Sequence, residues 1–323
     1  MSSRSTRLGA AVVCAVLVVA GAAASFGHSG RTVRFTVFAS TGIRLTDVVW
    51  TGSQFLYLEN TTNTVFAAGP KGAPLRRFAS MPKAVEETRC RIAPAGLGYV
   101  AGDLYCHGPT NVIYRIAPDG KHVVQLARLP VQGTSDGALA FDTVGRFGHR
   151  LIAVTGRSGA GTPAGGAAYG VSPSGKVKLI GRYSQPGGAD EALIAPASFG
   201  SASGDLLVTV DAGKTGALVA IDPRGRSRLI AALPDGPNPL VVVTTGKPGA
   251  TPAGLYVTDT LSKNVYFAPA AELPAAAGTV LVGSELQGRF WVVRPAGSRF
   301  TAGELRTSLA GKKYNFEGAA YVP

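Results

Sequence analysis

Six acid or amide residues stand at the head of short apolar runs: Asp47 in DVVWTG, Asp136 in DGALAFD, Asp190 in DEALIAP, Asn238 in NPLVVV, Glu317 in EGAAYVP, and Glu86 or Glu87 ahead of CRIAP. They are spread along the chain, so only a fold that keeps returning to one place could gather them. Carboxylates gathered in that way repel one another unless they share protons or hold a cation. A set made only of hard oxygens suits Ca2+, which takes about six to eight of them in loose geometry. Three readings stand. The acids cap strand ends or pair with Arg44, Arg89 and Lys313; or Asp47, Glu86, Asp136, Asp190, Asn238 and Glu317 ligate Ca2+; or one of them is a catalytic acid or base.

The remaining chemistry-bearing residues are sparse. His28, His107, His122 and His149 form no HExxH, no HxH and no close pair, which argues against zinc chemistry and a histidine dyad, and each is expected at the surface. No Gly-x-Ser-x-Gly elbow occurs. The Gly-rich stretch from Gly156 to Gly170 lacks the Lys-Ser/Thr of a phosphate loop and reads as a flexible insertion, a candidate lid or partner loop. Trp50, Trp291, Tyr57, Tyr105, Tyr114 and Tyr266 fall in strand-like runs and are expected to pack the core, not to form a sugar-stacking platform.

The elements that must position the acids form a repeat. Strand patterns recur as FLYLEN from Phe55, DLYCHG from Asp103, RLIAVTG from Arg150, DLLVTVD from Asp205 and GLYVTDT from Gly254. Each precedes a second strand, and four of these end in Pro-x-Gly turns at Pro70, Pro118, Pro173 and Pro223, where Pro presets φ and Gly supplies the positive φ. A third strand follows, and a further apolar run opens the next unit at a period of roughly 40 to 55 residues. Four strands per unit at that period predict an all-β fold, a β-propeller of six four-stranded blades over 31–323, with five or seven blades also compatible. The stretch from Asn238 to Phe316 is too long for one blade, and TVRFTVFAS is expected to pair with C-terminal strands and close the ring. Pro269 to Ala277 is the one Ala-rich run that tempts a helix, and Pro274 within it argues for a loop or single turn.

The pattern GDLYC, GDLLVTVD and GLYVTDT, the IAPDG and IDPRG turns and the EGAAYVP ending resemble the six-bladed propellers of the senescence-marker/gluconolactonase, strictosidine-synthase-like and NHL-repeat families. The resemblance spans most of the chain but consists of repeat consensus. It implies the architecture and a range of activities: lactone or ester hydrolysis with a divalent cation, Pictet–Spengler condensation, or plain ligand and protein binding. The acid-and-amide metal site of the lactonase-type members has no residue-by-residue match here.

Arg4 and Arg7 precede an uncharged run from Leu8 to Phe26 that ends near Ala22-Ala23-Ala24, which reads as a signal peptide over 1–24 or, uncleaved, an anchor over 8–26. Cys14 sits inside that run without the small residues that a lipid-attachment site requires. Cleavage leaves Cys90 and Cys106, predicted to be disulfide-bonded in an oxidising compartment. The net charge of +13 draws anions, a cell-surface polymer before nucleic acid in an exported protein, but the basic residues are scattered and read first as a solvated, solubilising surface. These features predict a secreted, non-catalytic propeller that binds a small molecule or protein at its channel mouth, with Ca2+ as the one candidate cofactor and membrane contact only through an uncleaved N-terminal segment. The alternative is a cation-dependent hydrolase of lactones or esters.

Overall fold

The computed structural model describes residues 32–82, 87–108, 110–131, 136–156, 165–244, 251–274 and 279–323. The leader over 1–24, its alternative as an anchor over 8–26, Glu86 and residues 157–164 of the Gly-rich stretch lie outside the described residues. Strand β1 (Thr36–Ser40) is followed by four sheets, each built from four consecutive antiparallel strands. Blade 1 is β2 (Leu45–Trp50), β3 (Phe55–Glu59), β4 (Thr64–Ala68) and β5 (Arg76–Ser80). Blade 2 is β6 (Arg89–Ile92), β7 (Leu104–His107), β8 (Val112–Ile116) and β9 (Val123–Arg128). Blade 3 is β10 (Gly137–Phe141), β11 (Leu151–Thr155), β12 (Gly166–Val171) and β13 (Val177–Tyr183). Blade 4 is β14 (Gly188–Ile194), β15 (Leu206–Asp211), β16 (Gly216–Ile221) and β17 (Ser227–Leu233).

The chain then departs from that order. β18 (Pro237–Val243) opens blade 5, but β19 (Gly254–Asp259) and β20 (Asn264–Pro269) belong to blade 6. The chain returns to blade 5 for β21 (Thr279–Ser284), β22 (Phe290–Ala296) and β23 (Arg299–Leu305), and ends in β24 (Phe316–Val322), the inner strand of blade 6. The order β24-β19-β20-β1 therefore unites three separate parts of the chain in one sheet. This explains the long stretch from Asn238 to Phe316, which holds all of blade 5 and the middle of blade 6. It also corrects the sequence-based grouping: GLYVTDT does not follow the Asn238 opener into one sheet, because β18 pairs with β21. β1 pairs with β20 as expected and so closes the ring, which leaves only the short outer edge of each blade unpaired.

The inner strands β2, β6, β10, β14, β18 and β24 pack side by side in that order, and β24 returns to β2. Strands near the centre are covered on both faces by adjacent blades, so β10 (GALAF) and β11 (LIAVT) are buried throughout and show no apolar–polar alternation. The outermost β13 and β17 are largely exposed by contrast. The core lies between blades: Ile152 and Val154 of blade 3 pack with Val208 and Val210 of blade 4, all fully buried. Each such side chain stabilises the fold by about 1.5–3 kcal/mol.

The four Pro-x-Gly turns form as the sequence predicts, with Gly72, Gly120, Gly175 and Gly225 all at positive φ. Helical structure among the described residues is confined to two short 3-10 turns, Gly200–Ala202 and Ala270–Glu272, the latter inside the Ala-rich run. Cys90 and Cys106 face each other in the β6–β7 register and form the predicted disulfide. Trp291, Tyr57 and Tyr105 are buried in the core. Among the described residues, no helix is long and apolar enough to cross a membrane.

Candidate functional site

Strand β6 differs from the other inner strands because it brings two arginines to the axis. Residues two apart on a strand share a face, so Arg89 and Arg91 enter the channel at successive levels. Arg89 is 1% exposed and spends its guanidinium on four other blades. Nη1 donates to the Thr46 carbonyl (2.7 Å), Nε to the Asp190 carbonyl (3.0 Å), and Nη2 to Asn238 Oδ1 (3.1 Å) and Glu317 Oε2 (3.0 Å). Asn238 Nδ2 donates to the same Glu317 oxygen at 2.8 Å. Burial alone would weaken the protonated form of Arg89, but the charges of Glu317, Asp47 and Glu191 outweigh it and raise its pKa. Burial pushes Glu317 up to about 7 in spite of Arg89.

One level further in, Arg91 bridges Asp47 Oδ2 (3.2 Å) and Glu191 Oε1. Asp47 is buried and also accepts from the backbone N–H groups of Val48 and Cys90, each at 2.8 Å. Gly318 makes this approach possible, since a Cβ there would overlap the Asp47 backbone. Asp47, Asn238 and Glu317 are thus arginine partners in a polar plug that ties the six-bladed ring together across its axis.

Above the plug lies a different group. Carboxylate oxygens of Glu87, Asp136 and Asp190 all lie within 4.8 Å of one another. Arg89 binds the Asp190 carbonyl, not its carboxylate, and Asp190 Oδ2 is buried without a hydrogen-bond partner although the residue is only 7% exposed. Burial, then the charges of Asp211 and Asp136, raise the Asp190 pKa well above its ordinary value. Burial and the Glu317 charge push Glu87 up to about 7.

Local backbone geometry creates this approach. Glu87 adopts a left-handed conformation (φ 59°), which costs a non-glycine residue roughly 1–2 kcal/mol. A Cβ at Gly188 would overlap the Asp136 carboxylate, so the glycine leaves room for it. Beside the triad, Asp211 and Glu285 share a carboxyl–carboxylate hydrogen bond, and Asn315 Nδ2 donates to Glu285 Oε1 at 2.7 Å. Burial and the Asp211 hydrogen bond push Glu285 up to about 7.

The predicted ring therefore divides. Asp136 and Asp190 come together with Glu87, the second of the two registers open in the sequence, whereas Asp47, Asn238 and Glu317 turn to arginines. Glu191, Asp211 and Glu285 were not singled out in the sequence. Glu191 is the second acid of DEALIAP, and Asp211 and Glu285 lie at the mouth-side ends of the second strands of blades 4 and 5. Among the histidines, His122 and His149 are exposed as expected. His107 corrects the expectation of a surface residue: it is fully buried against Gly137, and burial pushes its pKa down to about 4. No family model matches the chain, and no curated protein matches it.

Proposed function

We propose that this is an exported, non-catalytic six-bladed propeller that binds a ligand over the acidic mouth of its channel, where Glu87, Asp136 and Asp190 hold a Ca2+ ion. The observation that carries this reading is the Asp190 oxygen, buried and unpartnered beside two further carboxylates. A buried carboxylate oxygen calls for a partner, and three hard oxygens at this spacing suit Ca2+, leaving coordination positions open to a ligand. Asp47, Asn238 and Glu317 then serve as fixed supports, because their oxygens already face arginine. The Cys90–Cys106 bond and the leader-like residues 1–24 support an address outside the cytoplasm. The net positive charge favours anionic surroundings there.

Thermal melting with Ca2+ and with a chelator tests the reading, because a ligand that binds only the folded state raises the melting temperature by mass action. A rise of several degrees at millimolar Ca2+ is expected; no shift rejects the cation site. One observation favours the hydrolase alternative. The Asp211–Glu285 pair places a carboxyl of pKa about 7 beside the triad, the range in which a general base works best near neutrality. A lactone and ester panel decides between the two: turnover that needs Ca2+ and is lost in Glu285→Gln establishes the hydrolase, and absence of turnover with Ca2+ bound leaves the binding protein.

A further inference from the structure

Strands β10 and β16 run away from the acidic mouth, so the 142–150 loop that follows β10 and the turn between β16 and β17 lie at the opposite end of blades 3 and 4. There the two blades enclose a groove of about 310 Å3, lined by Arg146, Arg150, Lys178 and Arg224 over an apolar floor that includes Phe147 and Ile180. Close approach of backbone forms it. A Cβ at Gly225 would overlap the Ile180 carbonyl, and one at Gly181 would overlap Gly225, so these glycines let the 222–226 turn pack onto β13 and bring Arg224 to Lys178.

Two of the four cations, Arg146 and Arg150, stand on an ordered loop. The buried Asp142 carboxylate accepts from the N–H groups of Gly145 (2.9 Å), Phe147 (2.6 Å) and His149 (2.9 Å), which pins the loop carrying Arg146 and Arg150. The Arg150 stem lies across Gly170 and the Arg146 stem across Gly204, where added Cβ atoms would press on them at 2.9 and 3.0 Å. Nearby acids are already engaged. Asp205 is shared by Arg146 (3.3 Å) and Arg228 (3.2 Å), and Asp222 is held by Arg226 at 2.7 Å. Arg150, Lys178 and Arg224 have no side-chain partner among the described residues.

We infer that this groove is a binding site for a phosphate or sulfate ester of about one sugar in size. Guanidinium forks match the paired oxygens of such groups. The apolar floor suits the ring that carries the ester, and the volume lies at the small end of ligand clefts. The packed Arg146 and Arg150 stems lose less freedom than free surface cations when the anion arrives, and the unpaired Lys178 and Arg224 are left to close on it. Such a site would give the anionic surroundings of the proposed function a point of contact on the molecule. It stands apart from the cation site, since the two lie at opposite ends of the blades and are tested with different ligands.

The test is calorimetric titration of the intact protein at low ionic strength with glucose 6-phosphate, a sulfated heparin oligosaccharide, and glucose as the neutral control. Both variants used are double substitutions at exposed positions, Lys178→Gln with Arg224→Gln in the groove and Lys312→Gln with Lys313→Gln elsewhere. Each removes the same charge. The expected result is binding of at least one ester but not of glucose, weakened at least tenfold by the groove pair and less than twofold by the other pair. Binding of the monomer assigns the site to free sugar esters, and binding of the oligosaccharide alone assigns it to a polymer. No binding of either ester, or equal weakening by the two pairs, overturns the proposal.

Discussion

The plug inside the channel and the mouth above it are built from the same material, acids at the start of inner strands, yet they meet opposite fates. Inside, β6 supplies Arg89 and Arg91, and Asp47, Glu191 and Glu317 each give a carboxylate oxygen to one of them, although the second Glu191 oxygen stays unpartnered. Above, no arginine reaches the side-chain oxygens of Glu87, Asp136 and Asp190 among the described residues, and the three carboxylates crowd one another, Asp190 buried and the other two half-buried. An acidic ring in a propeller is thus not one site by virtue of its symmetry. One basic strand decides which members support the fold and which remain open to a ligand.

Arg89→Met should destabilise the protein by about 3–5 kcal/mol, since it leaves Glu317, Asn238 and two buried carbonyls without their donor. Denaturant unfolding at neutral pH measures this, and a loss below 1 kcal/mol would mean that the plug contributes little to holding the blades. Cys90 lies between the two arginines, so Cys90→Ser with Cys106→Ser should cost roughly 3 kcal/mol by freeing the loop in the unfolded chain. The same denaturant curves read it.

At the mouth the sign reverses. In chelator, Asp190→Asn should leave stability unchanged or raise it by about 1 kcal/mol, because it removes a buried, unpartnered charge, and it should abolish the Ca2+-dependent rise in melting temperature. Destabilisation of the size expected for Arg89→Met would show that the carboxylate has a structural partner and that the two regions do not differ.

Stability against pH gives a further check. Glu87, Glu285 and Glu317 titrate near 7 in the folded state and near 4.5 when free, so the folded protein holds more protons in between. Their contribution is present in full below pH 4.5 and is lost as pH rises through about 7. His107 acts in the opposite direction. Its folded pKa of about 4 lies below the free value of 6.5, so its contribution holds above 6.5 and is lost as pH falls toward 4. The three carboxylates outnumber it, so stability in chelator should decline as pH rises from 4.5 to 7. Saturating Ca2+ should flatten that decline, and His107→Gln should steepen it. Unfolding free energies across the range check all three.

Much of the fold was legible because it is written in local chemistry. Pro118-Asp119-Gly120 and Pro223-Arg224-Gly225 are turns in the sequence and turns in the structure, and the period between openers gave the blades. The exchange between blades 5 and 6 was hidden, because β18 and β19 are neighbours in sequence and nothing local tells that β18 will pair with β21 across an excursion. At the site, Asp136 and Asp190 were legible as strand openers. The division of the ring was not, because it depends on Arg89 reaching across the axis to four other blades. His107 was misread for a similar reason, since it ends β7 and Gly137 of the next blade packs against its ring.

The claim that the mouth acids are open and the channel acids are not is tested most directly by calorimetric titration of Ca2+ into the chelator-treated protein, alongside Asp190→Asn and Asp222→Asn. Asp222 is paired with Arg226 at the far end of blade 4 and serves as the control. One bound ion is expected, lost in Asp190→Asn and retained in Asp222→Asn. No binding by the unaltered protein, or equal binding by all three, would contradict it.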